Sequence, residues 1–293
     1  MGGIMAQGII TKAISGFYYV QNDTGVYQCR GRGLFRKKNI KPLVGDFVEF
    51  EADNKEEGYV NQVFERKNEL VRPPVANIDQ AFLVFSAQEP ALSTAMLDRF
   101  LVHMEAMDIE AVIVVNKMDL TATDYLDPYK EEYEAAGYPF HIVSSRDGTG
   151  IDQLQKYLTD KLSMVTGESG VGKSTLLNQL LPSLNLETAE VSARLKRGKH
   201  TTKHLELIPC NNGFIADTPG FSSLNFEKID EDDLDICFPE LKEIMPDCKF
   251  RGCTHRKEPG CAIKEAVEMG NIAEFRYEHY KQFFEELVQQ RRY

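Results

Sequence analysis

The sequence lacks any apolar run long enough to cross a membrane, since its longest apolar stretches are AFLVF (81–85) and AVIVV (111–115). The first thirty residues also lack a continuous apolar segment followed by a small-residue cleavage site, so secretion is not expected. Its six cysteines are then expected in a reducing compartment, as core residues or metal ligands rather than a disulfide scaffold. These absences predict a cytoplasmic protein with no membrane partner, which we expect to be a monomer.

Positive charge is also scarce: the sequence has 34 Lys and Arg residues and 45 Asp and Glu residues, so its net charge is −11. This balance argues against non-specific binding of nucleic acid by the whole surface. Two stretches without acids nevertheless concentrate basic residues, at 30–41 and 194–204, whereas 227–243 is acidic. Local basic patches on an acidic chain favour a specific anionic partner, and ordinary solvated loops are the alternative.

The hydropathy pattern of the N-terminal part predicts a small β-barrel. Residues 8–68 contain short stretches rich in β-branched and aromatic residues, separated by turn signals. The pattern fits an OB or an SH3-like barrel and does not separate the two. Residues 1–6 show no periodicity and are expected to be a loose end. Residues 72–74 (Arg-Pro-Pro) are expected to be a linker, because proline stops both helices and central strands.

After residue 74 the pattern changes to apolar strands that alternate with helical segments, which predicts a three-layer α/β domain with a mostly parallel sheet. From about residue 226 the chain becomes helical and acidic, then cysteine-rich, then helical again. The clearest helices are predicted over 94–107, 125–136, 152–162 and 173–181. The expected domains are a barrel in 1–71, the α/β domain in 72–225 and a mostly helical domain in 226–293.

The segment GESGVGKST (167–175) matches the phosphate-binding pattern G-x-x-x-x-G-K-[ST] and stands between an apolar strand and a helical run. Glycines allow backbone N–H groups to surround a β-phosphate, and the helix N-terminus adds its dipole. A Gly-rich turn is the alternative, which the strand–loop–helix setting disfavours. Lys173 is expected to reach the β- and γ-phosphates, and the Ser174 hydroxyl to ligate Mg²⁺. The expected phosphate-binding residues are Gly167, Glu168, Ser169, Gly170, Val171, Gly172, Lys173, Ser174 and Thr175.

A second motif, Asn116-Lys117-Met118-Asp119, directly follows the apolar strand AVIVV, where α/β sheets place ligand-binding loops. The Asp119 carboxylate can accept hydrogen bonds from N1–H and the 2-amino group of guanine, and adenine offers no donors there. Asn116 is expected to brace the loop and reach the edge of the base, while the stem of Lys117 covers the ring face. This favours GTP and GDP as ligands. An ATP-using P-loop kinase is the alternative, and it requires that Asp119 does not read guanine.

Ser144, Ser145 and Arg146 follow another short apolar strand and are expected to close the base pocket. A backbone N–H of this turn would meet the guanine O6.

The segment DTPG (217–220) ends the strand GFIA and matches D-x-x-G. Asp217 is expected to hold Mg²⁺ through water, and the Gly220 N–H to touch the γ-phosphate. A simple turn is the alternative for this tetrapeptide. Thr201 and Thr202 in RGKHTT (197–202) are both candidates for a second Mg²⁺ hydroxyl, and we prefer Thr202.

These motifs stand in permuted order, because an ordinary P-loop GTPase has its phosphate loop first and its base-recognition motif last. Joining the old termini and opening new ones builds the same sheet, and compact domains tolerate this change. The segment that carries DTPG then runs directly into the C-terminal part, so loss of the γ-phosphate could move that part.

Three cysteines and one histidine lie close together near residue 250 with the spacing C-x4-C-x-H-x5-C. Three thiolates and one imidazole suit a closed tetrahedral Zn²⁺ site, which predicts a structural zinc ion. A cluster of buried thiols is the alternative. The expected ligands are Cys248, Cys253, His255 and Cys261. Basic residues of the same loop could meet RNA phosphates: Lys249, Arg251, Arg256 and Lys257.

With these residues, the chain resembles the ribosome small-subunit-dependent GTPases of the RsgA/YjeQ type over nearly its whole length. The resemblance is carried by the small barrel, NKMD, GESGVGKS, RGKHTT, DTPGFSS and the cysteine cluster. It implies an OB-fold, a circularly permuted GTPase domain and a zinc-binding C-terminal domain. It also implies a role in late maturation of the small ribosomal subunit, with that subunit and its rRNA as partners.

One residue departs from the chemistry of Ras-like GTPases: Phe221 follows DTPG where a water-positioning glutamine commonly stands. A phenyl ring cannot orient water, so intrinsic hydrolysis should be slow without outside help. His200 is the best internal candidate for that help, and binding RNA phosphate or ordering its segment are its alternative roles. The catalytic set is then Lys173, His200, Thr202, Asp217 and Gly220.

The predicted function is Mg²⁺-dependent hydrolysis of GTP to GDP and phosphate, stimulated by the small ribosomal subunit. The alternative is a nucleotide-gated RNA-binding assembly factor, in which GTP controls docking and hydrolysis only resets the switch.

Overall fold

The N-terminal part of the chain is a closed five-stranded barrel with the strand order β1-β2-β3-β5-β4. Neighbouring strands are antiparallel except β3 and β5, which run parallel. This is the arrangement of an OB-fold rather than an SH3-like barrel. The strands are β1 (Ile4–Ile14), β2 (Phe17–Asn22), β3 (Gly25–Gly31), β4 (Phe47–Ala52) and β5 (Gly58–Val63). The computed structural model describes residues 4–33, 35, 40–71, 73–181, 205–217, 226 and 229–291.

The loose end expected over residues 1–6 is wrong for residues 4–6. Strand β1 begins at Ile4, and Met5 and Ala6 pair with Glu51 and Phe50 of β4. A hydropathy pattern does not reveal this pairing because it depends on a partner strand more than forty residues away.

A small hairpin, β6 (Glu69–Val71) and β7 (Pro74–Ala76), stands where a linker was expected. The Ala76 N–H donates to the Val44 carbonyl over 2.9 Å, so the hairpin is attached to the barrel. The Asn77 side chain donates to the Gly45 carbonyl over 2.9 Å. Pro74 is tolerated because it begins its strand. The passage from barrel to α/β domain is therefore a packed junction.

The central domain contains a six-stranded sheet with the order β10-β9-β8-β11-β13-β12. All neighbours are parallel except the edge strand β12, which is antiparallel to β13. Every residue of β8 and β11 is buried, as expected for strands covered on both faces. The strands are β8 (Gln80–Ser86), β9 (Glu110–Asn116), β10 (Phe140–Ile142), β11 (Leu162–Thr166), β12 (Leu207–Cys210) and β13 (Gly213–Asp217).

Helices cover both faces of this sheet. Leu83 and Phe85 of β8 point into the core shared with α1, whereas Phe82 and Val84 point into the core shared with α3 and α4. The predicted helix 152–162 is wrong in its second half: α3 ends at Gln155, a 3₁₀ turn follows, and β11 already begins at Leu162. The helices are α1 (Thr94–Glu105), α2 (Asp127–Ala135), α3 (Ile151–Gln155) and α4 (Lys173–Leu180).

The C-terminal part is helical and has its own apolar core, built around aromatic residues such as Phe238, Tyr280 and Phe283. Val102 of α1 also belongs to this core, so α1 lies between the sheet and the C-terminal helices. The helices are α5 (Pro239–Ile244), α6 (Ala262–Glu268) and α7 (Glu274–Gln290). Within the described residues, none of the helices combines the length and apolar character needed to cross a membrane.

Buried ion pairs join α1 to the C-terminal helices. Arg276 of α7 is 1% exposed and donates to Asp98 of α1 over 2.6 Å and to Glu240 of α5 over 2.5 Å. His279 of α7 has its Nδ1 2.6 Å from the other oxygen of Asp98. Each buried charge has a partner of opposite charge. These ion pairs offset the cost of removing the charged groups from water at the contact between α1 and α7.

Candidate nucleotide site and metal centre

The carboxyl ends of the parallel strands meet at one edge of the sheet. The register pairs Ser86 with Asn116, Leu83 with Thr166, and Val165 with Asp217. The loops that follow β8, β9, β11 and β13 therefore start side by side, which is where open α/β sheets bind ligands.

The predicted phosphate loop runs from Gly167 to Gly172, between the end of β11 and the first residue of α4. Gly167 has φ +144°, and a Cβ atom there would lie 2.0 Å from the Val84 carbonyl oxygen. Gly172 has φ +97°, and a Cβ atom there would lie 2.4 Å from Nδ2 of Asn116. Both positions therefore require glycine.

The ammonium of Lys173 lies inside this loop. Its Nζ donates to the carbonyls of Gly167 and Glu168 over 2.9 and 2.5 Å. An ammonium at the N-terminus of a helix, where the dipole is positive, favours an anion. Val171 is buried, whereas Ser169 and Gly170 of the loop and Ser174 and Thr175 of α4 are exposed.

The Asn116 side chain connects the base-recognition motif to the phosphate loop. It is 1% exposed, and its Nδ2 donates to the Ser145 hydroxyl and to the Val171 carbonyl, each over 2.9 Å. Its Oδ1 accepts from the Ser145 N–H over 2.9 Å. One amide therefore connects three segments that are far apart in the sequence.

Asp119 lies beside the Ser144–Arg146 turn. Its Oδ1 accepts from the Ser144 hydroxyl over 2.9 Å, and its Oδ2 is 3.8 Å from a guanidinium nitrogen of Arg146. The Arg146 side chain is 81% exposed, so this ion pair is weak and screened. Met118 anchors the loop through its N–H, which donates to the Val143 carbonyl over 3.1 Å. The Asp119 carboxylate is thus oriented and still accessible to a ligand.

Lys117 has φ +65°, and its Nζ donates to the Glu89 carbonyl over 2.5 Å. The loop after β8 that supplies this carbonyl is itself held by the Ser86 hydroxyl, which donates to the Gln88 carbonyl over 2.5 Å. The Tyr125 hydroxyl donates to the Ala87 carbonyl of the same loop. No sequence motif indicates these contacts, because they use backbone carbonyls that any residue carries.

Several predicted residues lie outside the described part of the chain, namely His200, Thr201, Thr202, Gly220 and Phe221, as does the whole basic stretch 194–204. Asp217 is described only as the last residue of β13.

The predicted metal ligands Cys248, Cys253, His255 and Cys261 converge, with their ligand atoms all within 4.8 Å of one another. Nδ1 of His255 lies 3.5 Å from Sγ of Cys248 and 3.4 Å from Sγ of Cys261, and these two sulfurs are 3.9 Å apart. Tetrahedral Zn²⁺ with bonds of about 2.3 Å to sulfur and about 2.0 Å to nitrogen implies ligand separations of roughly 3.5–3.8 Å. The cluster therefore fits a zinc ion.

Burial raises the pKa of the Cys253 thiol to about 12 and also raises the pKa of Cys261. These thiols carry their protons at neutral pH unless a cation stabilises the thiolates. Metal binding here therefore displaces protons.

Comparison with known proteins places this architecture in one family. The family model described as "RsgA GTPase" matches residues 63–227, and the family model described as "RsgA N-terminal domain" matches residues 7–60. The chain belongs to the RsgA GTPase family. It is a P-loop GTPase, and the family uses GTP, GDP and Mg²⁺.

Relatives resemble the chain over almost its full length. It is 55% identical to the "Small ribosomal subunit biogenesis GTPase RsgA" of Halalkalibacterium halodurans, with 98% of both chains covered. It is 56% identical to the protein of the same name from Bacillus cytotoxicus, covering 97% of this chain and 98% of that one.

Solved structures agree with the permuted order of the motifs. The crystal structure of YloQ, described as a circularly permuted GTPase, matches with a TM-score of 0.86, 46% identity and coverage of 98% of this chain and 96% of that one. YjeQ from Thermotoga maritima matches with a TM-score of 0.85, 39% identity and coverage of 97% and 99%. The family, the barrel fold and the circular permutation expected from the motifs are thereby confirmed.

Proposed function

We propose that this GTPase acts in the biogenesis of the small ribosomal subunit and that the subunit stimulates its GTP hydrolysis. Relatives that carry this role in their name are more than half identical to the chain over nearly its whole length. The observation that carries the guanine-nucleotide part is the Asn116 amide, which connects the Asp119 loop directly to the phosphate loop. This connection couples the position of the base to that of the phosphates.

In this proposal the Asp119 carboxylate accepts hydrogen bonds from N1–H and the 2-amino group of guanine, and Arg146 moves into solvent. The Ser145 N–H already donates to Asn116, so another amide of the same turn meets the guanine O6. The stem of Lys117 covers the ring.

The phosphates occupy the loop 167–175. Lys173 exchanges its carbonyl partners for phosphate oxygens, and the exposed Ser174 hydroxyl ligates Mg²⁺. Thr202, Asp217 and Gly220 complete the Mg²⁺ and γ-phosphate contacts. His200 is the proposed internal aid to water attack.

The cysteine cluster holds one structural Zn²⁺ in this proposal. All four ligands come from the protein, which leaves no open position for substrate. The Tyr277 hydroxyl of α7 donates to the His255 carbonyl over 2.6 Å. The loop that carries the four ligands, residues 248–261 and below called the metal loop, would thus be held against the C-terminal helix α7.

The proposed ligand of the remaining surface is ribosomal RNA. On the barrel, Arg30 lies 4.9 Å from the ring of Phe17, and Arg32 lies 5.9 Å from the half-exposed ring of Tyr59. Interleaved cations and aromatic rings suit unpaired bases and their phosphates. The metal loop adds exposed Phe250 beside Lys249. We further propose that the protein works as a cytoplasmic monomer with the domains 1–71, 72–225 and 226–293.

Cosedimentation tests the partner. The chain is mixed with purified small or large ribosomal subunits in the presence of GDP or of a non-hydrolysable GTP analogue. We expect it to pellet with small subunits, most strongly with the analogue. Equal binding to both subunits would contradict the proposed partner. Binding to small subunits that ignores the nucleotide would contradict nucleotide-gated docking.

A further inference from the structure

The two ring nitrogens of His255 have different surroundings. Nδ1 faces the sulfurs of Cys248 and Cys261, at 3.5 and 3.4 Å. Nε2 faces away from the cluster and lies 3.3 Å from Oδ2 of Asp235. The His255 side chain is 2% exposed and that of Asp235 is 18% exposed, so this contact is largely shielded from water.

Asp235 uses each of its oxygens separately. Oδ1 accepts from the N–H of Ile236 over 2.8 Å, which fixes the carboxylate at the start of the 3₁₀ turn Asp235–Cys237. Oδ2 is thereby directed at the imidazole, 20 residues further along the chain. The ring of Tyr280 lies 6.1 Å from the His255 ring. The orientation of the imidazole is therefore set by a carboxylate at its edge and by packing beside it.

A neutral imidazole binds a metal ion through the lone pair of one nitrogen and keeps its proton on the other. A carboxylate that accepts this proton selects the tautomer, fixes the ring and makes the ligating nitrogen more basic. With Nδ1 in the cluster, the proton must be on Nε2, where Oδ2 of Asp235 lies.

We propose that Asp235 is a positioning residue of the metal centre. It accepts the Nε2–H bond of His255 and so directs the Nδ1 lone pair at the cation. Asp235 belongs to the first turns of the C-terminal part, the acidic segment 230–237. Metal binding therefore also attaches this segment to the metal loop. This inference rests on the zinc assignment proposed above and deepens it.

The test compares zinc affinity among full-length variants, by competition with a chromogenic chelator. Asp235→Ala removes the acceptor, and we expect it to weaken zinc binding about 10- to 100-fold. Asp235→Asn keeps an acceptor oxygen without the charge, and its loss should be smaller. Asp232→Ala and Asp232→Asn are the matched controls, because this exposed acid belongs to the same segment, and they should bind as the wild type does.

Cobalt(II) provides a second readout. The thiolate-to-metal charge-transfer bands of Asp235→Ala should keep their wild-type intensity, since the three thiolates remain, while the d–d bands shift with the histidine ligand. Wild-type affinity together with an unchanged cobalt spectrum in Asp235→Ala would overturn the role of Asp235.

The two proposals fail differently. A wild-type chain that takes up neither zinc nor cobalt would overturn the zinc assignment itself, and the role of Asp235 with it. If Asp235→Ala does not fold at saturating zinc, the comparison of Asp235→Asn with Asp232→Asn decides, and equal affinities would overturn the proposal.

Discussion

At the scale of single residues, a few polar side chains hold the loops of the nucleotide site in place through hydrogen bonds. Asn116 makes three hydrogen bonds from a buried position, and Asp119 is oriented by Ser144. The sequence predicted that both residues face the base because they follow a buried strand. It did not predict the bond from Asn116 to the Val171 carbonyl, since that contact depends on how β9 and β11 are placed in the sheet.

Replacing Asp119 by asparagine should change which base is bound. The asparagine oxygen can still accept from N1–H, but its NH₂ group now faces the 2-amino group of guanine, donor against donor, and can instead donate to the 2-carbonyl of xanthine. We expect GTP binding to weaken by about 1.5–3 kcal/mol and XTP to bind better than GTP, as measured with fluorescent nucleotide analogues. Asp124→Asn, at an exposed acid of the next turn, is the control. An unchanged preference for GTP in Asp119→Asn would refute guanine reading by Asp119.

Replacing Asn116 by aspartate should damage the fold as well as the site. A carboxylate of the same shape cannot donate to the Val171 carbonyl, which then lies buried opposite a negative charge. We expect a loss of about 1–3 kcal/mol in the free energy of unfolding, read from urea titration without nucleotide. If stability stays at the wild-type level while nucleotide binding is lost, the amide contacts the ligand and does not connect the two loops.

At the scale of helices and strands, local pattern predicted the buried parallel strands well, because β8 and β9 are continuous apolar runs. It was wrong for residues 4–6, because these residues pair with β4, and for the helix 152–162, because β11 already begins within the predicted helix. It also gave no sign of the ion pairs between α1 and α7. Asp98 and Arg276 are 178 residues apart, and nothing in their local sequence distinguishes them from exposed charges.

Arg276→Met should destabilise the contact between α1 and the C-terminal helices. The change removes the guanidinium that pairs with both Asp98 and Glu240, and the expected loss is about 3–5 kcal/mol in the free energy of unfolding. Arg291→Ala is the control, since the Arg291 side chain at the end of α7 is half exposed, and it should change little. Equal effects of the two variants in urea titrations would contradict the importance of burial.

Zinc removal should loosen the metal loop and the turns around it, about residues 235–265, while the sheet remains protected. Hydrogen exchange with and without a chelator measures this.

Because burial raises the pKa of Cys253 to about 12, protons compete with zinc, and the apparent zinc affinity should rise with pH across the neutral range. Affinity that does not vary with pH, or exchange that stays unchanged on chelation, would argue against a thiolate-bound ion.

At the scale of the whole molecule, three folded parts are combined with a permuted order of nucleotide motifs. The motifs could be identified from the sequence because each is short and local. The OB topology could not, because it is defined by the parallel contact between β3 and β5. Phe226, which follows the segment that carries DTPG, packs against His103 of α1 and Phe283 of α7. The chain therefore connects the nucleotide site to the contact between α1 and the C-terminal helices.

GTP turnover tests the central proposal most directly, measured for the protein alone, with small ribosomal subunits and with large subunits. Turnover alone should be slow, because Phe221 stands where a glutamine would orient water. The proposal predicts strong stimulation by small subunits and none by large subunits. Tight GTP binding without any stimulation, or equal stimulation by both subunits, would contradict a GTPase activated by the small ribosomal subunit.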